Sequence, residues 1–460
     1  MFERYHIETK PAPLLSPVVS KFKIIRQENC INCGCCLRSC IYDVHQRLTA
    51  DPRRMADPEH HLCKNCFRCI QECPAQALTK IINPDYRTLG NNYWRNELIS
   101  RIWFEAETGR IPVLGAGYRG KFGGAGFDGM WTDLSEIVRP TRDGIHGREY
   151  INTAVDLGKK LPRLSFNAEQ TLDVTLPPIV EIPLPVIFNP VPLPESFQPL
   201  QESFIRAASK LKTFAMTPIS FLAATQNYNA VIPRLTSETA EIFLSECNRS
   251  NRLPLIVELD YEPKNTAALW SRLKKTWPNL IISVRLPFQP GVEKTVVALT
   301  QQGAEVIHLY ADQEGKELNT SQPRFLKELV RSVHLSLVEK SIRDEVTLIV
   351  SGGIAAAEHI PKIIICGADL VGLDFSLAVA LGCRMCVKCS WTDCPARLNK
   401  ITTDWATQRL LNLMGAWRDQ LLEIMSAMGL REVRRLRGET GRAIFQEEME
   451  KEIFSDKFSG

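Results

Sequence analysis

Apolar residues in the second half of the chain gather into short continuous runs rather than alternating with polar ones. The runs are PVIFN (185–189), TFAMT (213–217), AVIPRL (230–235), LIVELDY (255–261), LIISVRL (280–286), EVIHLY (305–310), VTLIVS (346–351) and DLVGLDF (369–375). Runs of this length read as strands buried on both faces, as in a parallel sheet. Between them lie stretches of helical periodicity, among them ESFIRAASKL, TSETAEIFLSECNRS, NTAALWSRLKKTW, VEKTVVALTQQG and IPKIIICG. Eight strand–helix units in about 190 residues predict an α/β fold, a compact (β/α)8 TIM barrel; the alternative is an open doubly wound sheet.

The rest of the chain reads differently. Residues 1–20 form a polar arm and 21–80 a cysteine-rich module. Residues 81–180 run from a Gly-dense irregular stretch into a Pro-rich linker, 181–400 carry the barrel, and 401–460 read as a helical C-terminal extension. A length of 460 residues suits two or three domains. The net charge of +4 argues against nucleic acid as a partner. No apolar stretch reaches the length of a transmembrane helix, and no secretory signal opens the sequence. The expected compartment is the reducing cytoplasm.

Cysteine placement then changes the picture. Nine of the 15 cysteines lie between Cys30 and Cys73, and four between Cys383 and Cys394. Cys30, Cys33, Cys36 and Cys40 follow C-x2-C-x2-C-x3-C, and Cys63, Cys66, Cys69 and Cys73 repeat it, with Pro74 after the last. This is the bacterial ferredoxin run, which predicts an α+β ferredoxin-like domain with two [4Fe-4S] clusters. In such modules the fourth cysteine of each run ligates the other cluster. One set is therefore Cys30, Cys33, Cys36 and Cys73, and the other Cys63, Cys66, Cys69 and Cys40. Ile41 stands where a proline usually follows the fourth cysteine, and Cys35 reads as a spectator. Cys383, Cys386, Cys389 and Cys394 form C-x2-C-x2-C-x4-C, a candidate third iron–sulfur site, with zinc as the alternative.

SGGI (351–354), GADLVGLDFSLAVALGC (367–383) and the C-x5-C-x4-CP of Cys383, Cys389 and Cys394 resemble the FMN-binding synthase domain of the glutamate synthase family. The N-terminal ferredoxin module, AGYRG, IVRPTRDGIHGREY and the tail MGLREVRRLRGETGRAI resemble its short, archaeal-type branch. The resemblance implies FMN in the barrel beside a [3Fe-4S] cluster on those three cysteines; Cys386 is an addition that leaves [4Fe-4S] open. It places a cation, here Arg285, at the flavin's N1–C2 edge. Phosphate in such barrels sits after strands 7 and 8, which selects Ser351, Gly352, Gly353, Gly372 and Leu373. Asp374 argues against phosphate there.

Other family features are lost. Three prolines follow Phe188, ADQEGKELNT replaces a Gly-rich loop near 311–320, and PISFLAATQNY replaces a Gly/Glu motif. No glutaminase nucleophile is present at the start of the chain. The expectation is an iron–sulfur flavoprotein, glutamate synthase-like or an electron-transfer subunit. It would work with other redox subunits in a hetero-oligomeric complex, or with a ferredoxin-type donor or acceptor. The alternatives are an ammonia-dependent glutamate synthase subunit and a flavin-free scaffold. Arg139, Arg142, Asp143, His146, Arg148 and Glu149 read as ligand contacts or a salt-bridged interface. His308 reads as a satisfied core histidine, Cys247 and Cys366 as ordinary buried cysteines, and Arg431, Arg434, Arg435, Arg437 and Arg442 as a solvated face or docking site.

Overall fold

A computed structural model describes residues 5–112, 124–133, 150–161, 164–191, 197–222, 225, 227–386, 389 and 392–454. The cluster Arg139–Glu149 and the AGYRG motif lie outside the described residues. Contacts divide the chain into two compact units: residues 13–103 with 382–400, and residues 1–12 with 104–381 and 401–460. No described helix is long and apolar enough to cross a membrane.

The larger unit is built on a closed eight-stranded barrel. Its strands are β1 (Val186–Phe188), β2 (Ala215–Pro218), β3 (Val231–Leu235), β4 (Ile256–Asp260), β5 (Ile281–Pro287), β6 (Val306–Tyr310), β7 (Thr347–Ser351) and β8 (Leu370–Leu373). Each pairs in parallel with the next, and β8 closes onto β1 with Gly372 opposite Ile187. Every apolar run of the sequence thus supplies one strand. The covering helices are α1 (Gln198–Lys210), α2 (Ala240–Ser250), α3 (Thr266–Thr276), α4 (Val292–Gln301), α5 (Leu326–Glu339) and α6 (His359–Cys366). Between β2 and β3 the described residues form only two short 3-10 turns, 219–221 and 228–230. After β8 come α7 (Phe375–Ala380) and the long α8 (Thr403–Ala427), whose buried face packs on α1.

The segment read as irregular contains an antiparallel ribbon, Val155–Gly158 against Ile179–Ile182. Thr347 Oγ1, at the start of β7, donates to the Gly158 carbonyl at 2.8 Å. The ribbon therefore abuts the N-terminal end of the barrel. The basic tail serves the same end. Arg434 pairs with Asp156 (3.0 Å) and Glu181 (2.5 Å), and Arg437 pairs with Asp369 (2.7 Å) and Asp344 (2.6 Å). These two arginines act as internal clamps, not as the solvated face or docking site read from sequence. Cys247 and Cys366 are buried, and burial pushes each thiol up to about 12.

In the smaller unit, strands Phe22–Arg26 and Leu78–Ile82 pair antiparallel. They flank two short helices, Cys35–Ser39 and Arg68–Gln71. The cysteine runs fold alike. Asn32 and Asn65 hold φ of 55° and 62°, and Gly34 and Phe67 hold φ of 73° and 58°. Paired left-handed residues around Cys33 and Cys66 turn each loop tightly before its helix, and the first run uses glycine where a side chain would be strained. Phe67 accepts that strain with packing in return: its ring meets Phe22 edge-on at 5.2 Å and lies under Lys80 Nζ at 4.2 Å. Ile24, Cys36, Met55, Cys69 and Leu78 form the small core.

Candidate redox and barrel-mouth sites

Three groups of thiols assemble within the smaller unit. Cys30, Cys33, Cys36 and Cys73 line one gap, with Cys35 beside them, together with Arg26, Gly34, Met55 and Leu78. Cys40 is absent from that lining; it belongs with the second run, where its charge raises Cys63 and Cys69. Burial is the larger cause there, pushing Cys69 up to about 11. Each set therefore takes its fourth thiol from the other run, the arrangement the ferredoxin spacing implies. Cys35 accepts a hydrogen bond from Arg38 Nη2 at 3.2 Å. In the third motif, burial pushes Cys383 up to about 12, and Cys386, Cys394 and Cys389 all add to the shift. The added Cys386 thus stands with the other three. Among the described residues, no three His, Cys, Asp or Glu side chains are set closely enough to hold a single metal ion.

The C-terminal ends of the barrel strands carry a second constellation. Glu258, Ser283, His308 and Ser351 are fully buried, each in a mostly apolar strand. Glu258 Oε2 meets His308 Nδ1 at 2.7 Å, and His308 Nε2 meets Ser351 Oγ at 2.8 Å. Asn189 Nδ2 donates to Ser351 Oγ at 3.4 Å. His308 is thus a satisfied core histidine. Burial alone would push Glu258 up, but His308, then Arg285 and Arg234, outweigh it and hold the carboxyl below the usual range. Arg285 is largely buried, 3.5 Å from Glu258 and 3.6 Å from Asp260, and its guanidinium lies 3.8 Å from the Tyr310 ring centroid. Asp260 is also held by Arg234 Nε at 2.9 Å.

Sequence reasoning selected Arg285 and Ser351 but missed Glu258, Asp260, Arg234, Asn189 and Tyr310. The signal for Glu258 was a carboxylate inside LIVELDY, since a polar residue in a buried run is the informative exception.

Where a Cβ would stand on Gly352, Gly353 or Gly372, protein is already present. A Cβ on Gly352, at φ 97°, would come within 2.6 Å of the Ala311 carbonyl, and one on Gly353 would meet the backbone of Gly315. The loop after β6 therefore lies on the Ser351–Gly353 turn. Gly372 faces Ser351, His308 and Asn189 instead, where a Cβ would fall 3.1 Å from that of Ser351. Leu373 is buried. We expect Gly352→Ala to lower stability by more than about 1 kcal/mol, read by chemical denaturation, because both φ and space oppose it.

Asp374 caps α7, accepting from the Phe375 amide at 2.6 Å. Burial pushes its carboxyl up to about 6, against the Phe375 hydrogen bond and Arg285. A raised folded-state pKa stabilises the fold below the unfolded value near 4, and that contribution is lost as pH rises through 6. Asp374→Asn should flatten this decline, gaining about 2 to 3 kcal/mol on the wild type between pH 4 and 7 in thermal or denaturant melts. Parallel profiles would remove Asp374 as the cause.

The donor set at this mouth is of the kind a flavin ring would use: Arg285 is a cation, and Asn189 Oδ1 and Thr217 Oγ1 are buried without partners among the described residues. The Asp374 carboxylate is the departure, at the phosphate end.

Residues 259–431 match the model of the conserved region in glutamate synthase. An archaeal-type glutamate synthase [NADPH] of Dehalococcoides mccartyi is 24% identical, over 91% of this chain and 94% of that protein. An archaeal glutamate synthase [NADPH] of Archaeoglobus fulgidus is 24% identical, over 95% and 96%. Among solved structures, a mutant flavocytochrome b2 with sulfite bound is similar at 12% identity and TM-score 0.44, over 72% of this chain and 92% of that one. That likeness is too loose to bear on function. The chain is similar to archaeal-type glutamate synthases along nearly its whole length, and its residues 259–431 carry the conserved glutamate synthase region.

Proposed function

We propose that this glutamate synthase-like oxidoreductase is an iron–sulfur flavoprotein that moves electrons between ferredoxin-type clusters and FMN in the barrel. The observation that supports the reading is the gathering of the motif cysteines into three groups, the first joined by Cys73 and the second by Cys40 from the other run. Cys30, Cys33, Cys36 and Cys73 would hold one [4Fe-4S] cluster, and Cys63, Cys66, Cys69 and Cys40 the other. Cys383, Cys389 and Cys394 would hold the third, a [4Fe-4S] cluster if Cys386 joins them and a [3Fe-4S] cluster if it does not. Clusters carry single electrons, and flavin converts between one- and two-electron chemistry.

Within the barrel, Arg285 would face the flavin's anionic edge, anchored by Glu258 and Asp260 so that it does not swing into solvent. Asn189 and Thr217 would hydrogen-bond polar ring atoms. Ser351, Gly352, Gly353, Gly372 and Leu373 would form the wall toward the phosphate end. Other redox subunits or a ferredoxin-type carrier would exchange electrons with the smaller unit, in the cytoplasm. Tyr310, under the Arg285 guanidinium, excludes water from that cation's face.

The test is glutamate formation from 2-oxoglutarate and ammonia with a reduced low-potential donor. Formation that requires iron-replete protein with FMN bound supports the reading. A second reading, a flavin-free electron-wiring subunit, is favoured by Asp374 at the phosphate end and by the loop folded onto Gly352 and Gly353. Iron and sulfide without flavin would select it.

A further inference from the structure

The rim of the first cysteine loop presents, beside the exposed Ile31, arginines without carboxylate partners among the described residues. Asn32 lies between Cys30 and Cys33, and the hairpin 47–55 is pinned to it. Arg47 Nη1 donates to the Asn32 carbonyl at 2.9 Å, and the Met55 amide donates to Asn32 Oδ1 at 3.0 Å. Within the hairpin, the Leu48 amide bonds the Arg54 carbonyl at 2.9 Å, so Arg53 and Arg54 sit at its tip. The hairpin thus carries Arg53 and Arg54, both exposed, alongside the loop that bears Ile31, 66% exposed. Arg38, also exposed, comes from the helix that follows. None of Arg38, Arg47, Arg53 and Arg54 is paired with a carboxylate among the described residues. Residues 13–103 hold 13 Lys and Arg against 8 Asp and Glu.

Arginine with exposed aliphatic groups is the composition of a recognition surface, and unpaired surface charge raises the encounter rate with an oppositely charged protein. Thiolate ligation makes a cluster anionic, so cations on its rim offset that charge where a partner must approach.

We propose that this rim, Ile31 with Arg38, Arg53 and Arg54, is the docking face for a small acidic one-electron carrier protein that exchanges electrons with the cluster on Cys30, Cys33, Cys36 and Cys73. The inference rests on the proposed function, since it requires that cluster. One electron passes from the reduced carrier to the oxidised cluster, with no bond made or broken.

The test uses the full chain, purified anaerobically, and an acidic 2[4Fe-4S] ferredoxin reduced beforehand. Cluster bleaching is followed by stopped flow, with reduced methyl viologen, a small cation, as control. The expected rate constant with ferredoxin falls steeply with added salt, and the double variant Arg53→Glu/Arg54→Glu is slower by about tenfold or more. With methyl viologen the double variant is as fast as the wild type or faster. A ferredoxin rate that ignores both salt and charge reversal overturns the docking face. So does self-association that salt and the same reversal abolish, because a second copy then occupies it. Protein purified anaerobically without iron overturns the underlying reading, and the docking inference with it, before any rate is measured.

Discussion

Replacing Cys73 by Ser should remove the cluster built on the first cysteine run, although Cys73 belongs to the second. The structure puts Cys73 beside Cys30, Cys33 and Cys36, while Cys40 acts on Cys63 and Cys69. Double variants make the crossing measurable. Cys30→Ser/Cys73→Ser should lose about 4 iron atoms, since both residues serve one cluster, whereas Cys63→Ser/Cys73→Ser should lose about 8. Pairing within each run predicts the reverse. Iron and acid-labile sulfide assays on anaerobic protein read the difference, and circular dichroism checks that the barrel remains folded. The larger unit holds its own core, so loss of clusters should leave its melting transition in place.

The second large effect belongs to Glu258. Glu258→Gln keeps the shape of the side chain and removes its charge. His308, Arg285 and Arg234 then lose the carboxylate they share, and a buried charge network without its anion is costly, about 3 to 5 kcal/mol. Glu258→Gln/Arg285→Gln should cost less than the sum of its single variants, because both charges leave together. Denaturant titrations of the four proteins measure the coupling. Additive losses would mean that the 3.5 Å approach of Arg285 to Glu258 contributes nothing.

The barrel was legible because strands covered on both faces are mostly apolar, so β1 to β8 appear directly as apolar runs. The ferredoxin-like module was legible because a ligand spacing is local. The barrel mouth was not. Glu258 and His308 are separated by 50 positions, and parallel pairing of β4 and β6 on either side of β5 brings them to 2.7 Å. Arg285 was chosen from family resemblance, while its partners Glu258, Asp260 and Tyr310 depend on strand register. The glycines of the Ser351–Gly353 turn show the converse. Their type signals close approach, but what approaches in the structure is the chain's own loop after β6. Chain order also hid the surroundings of the third motif. It follows β8 in sequence, yet residues 382–400 make their contacts with 13–103.

The most direct measurement is the cofactor content of anaerobically purified protein. The expected result is about 12 iron atoms, or about 11 if the third cluster is [3Fe-4S], with matching sulfide and about one FMN released by acid. About 8 iron atoms would leave the third motif empty, and zinc with neither sulfide nor flavin would contradict the account outright.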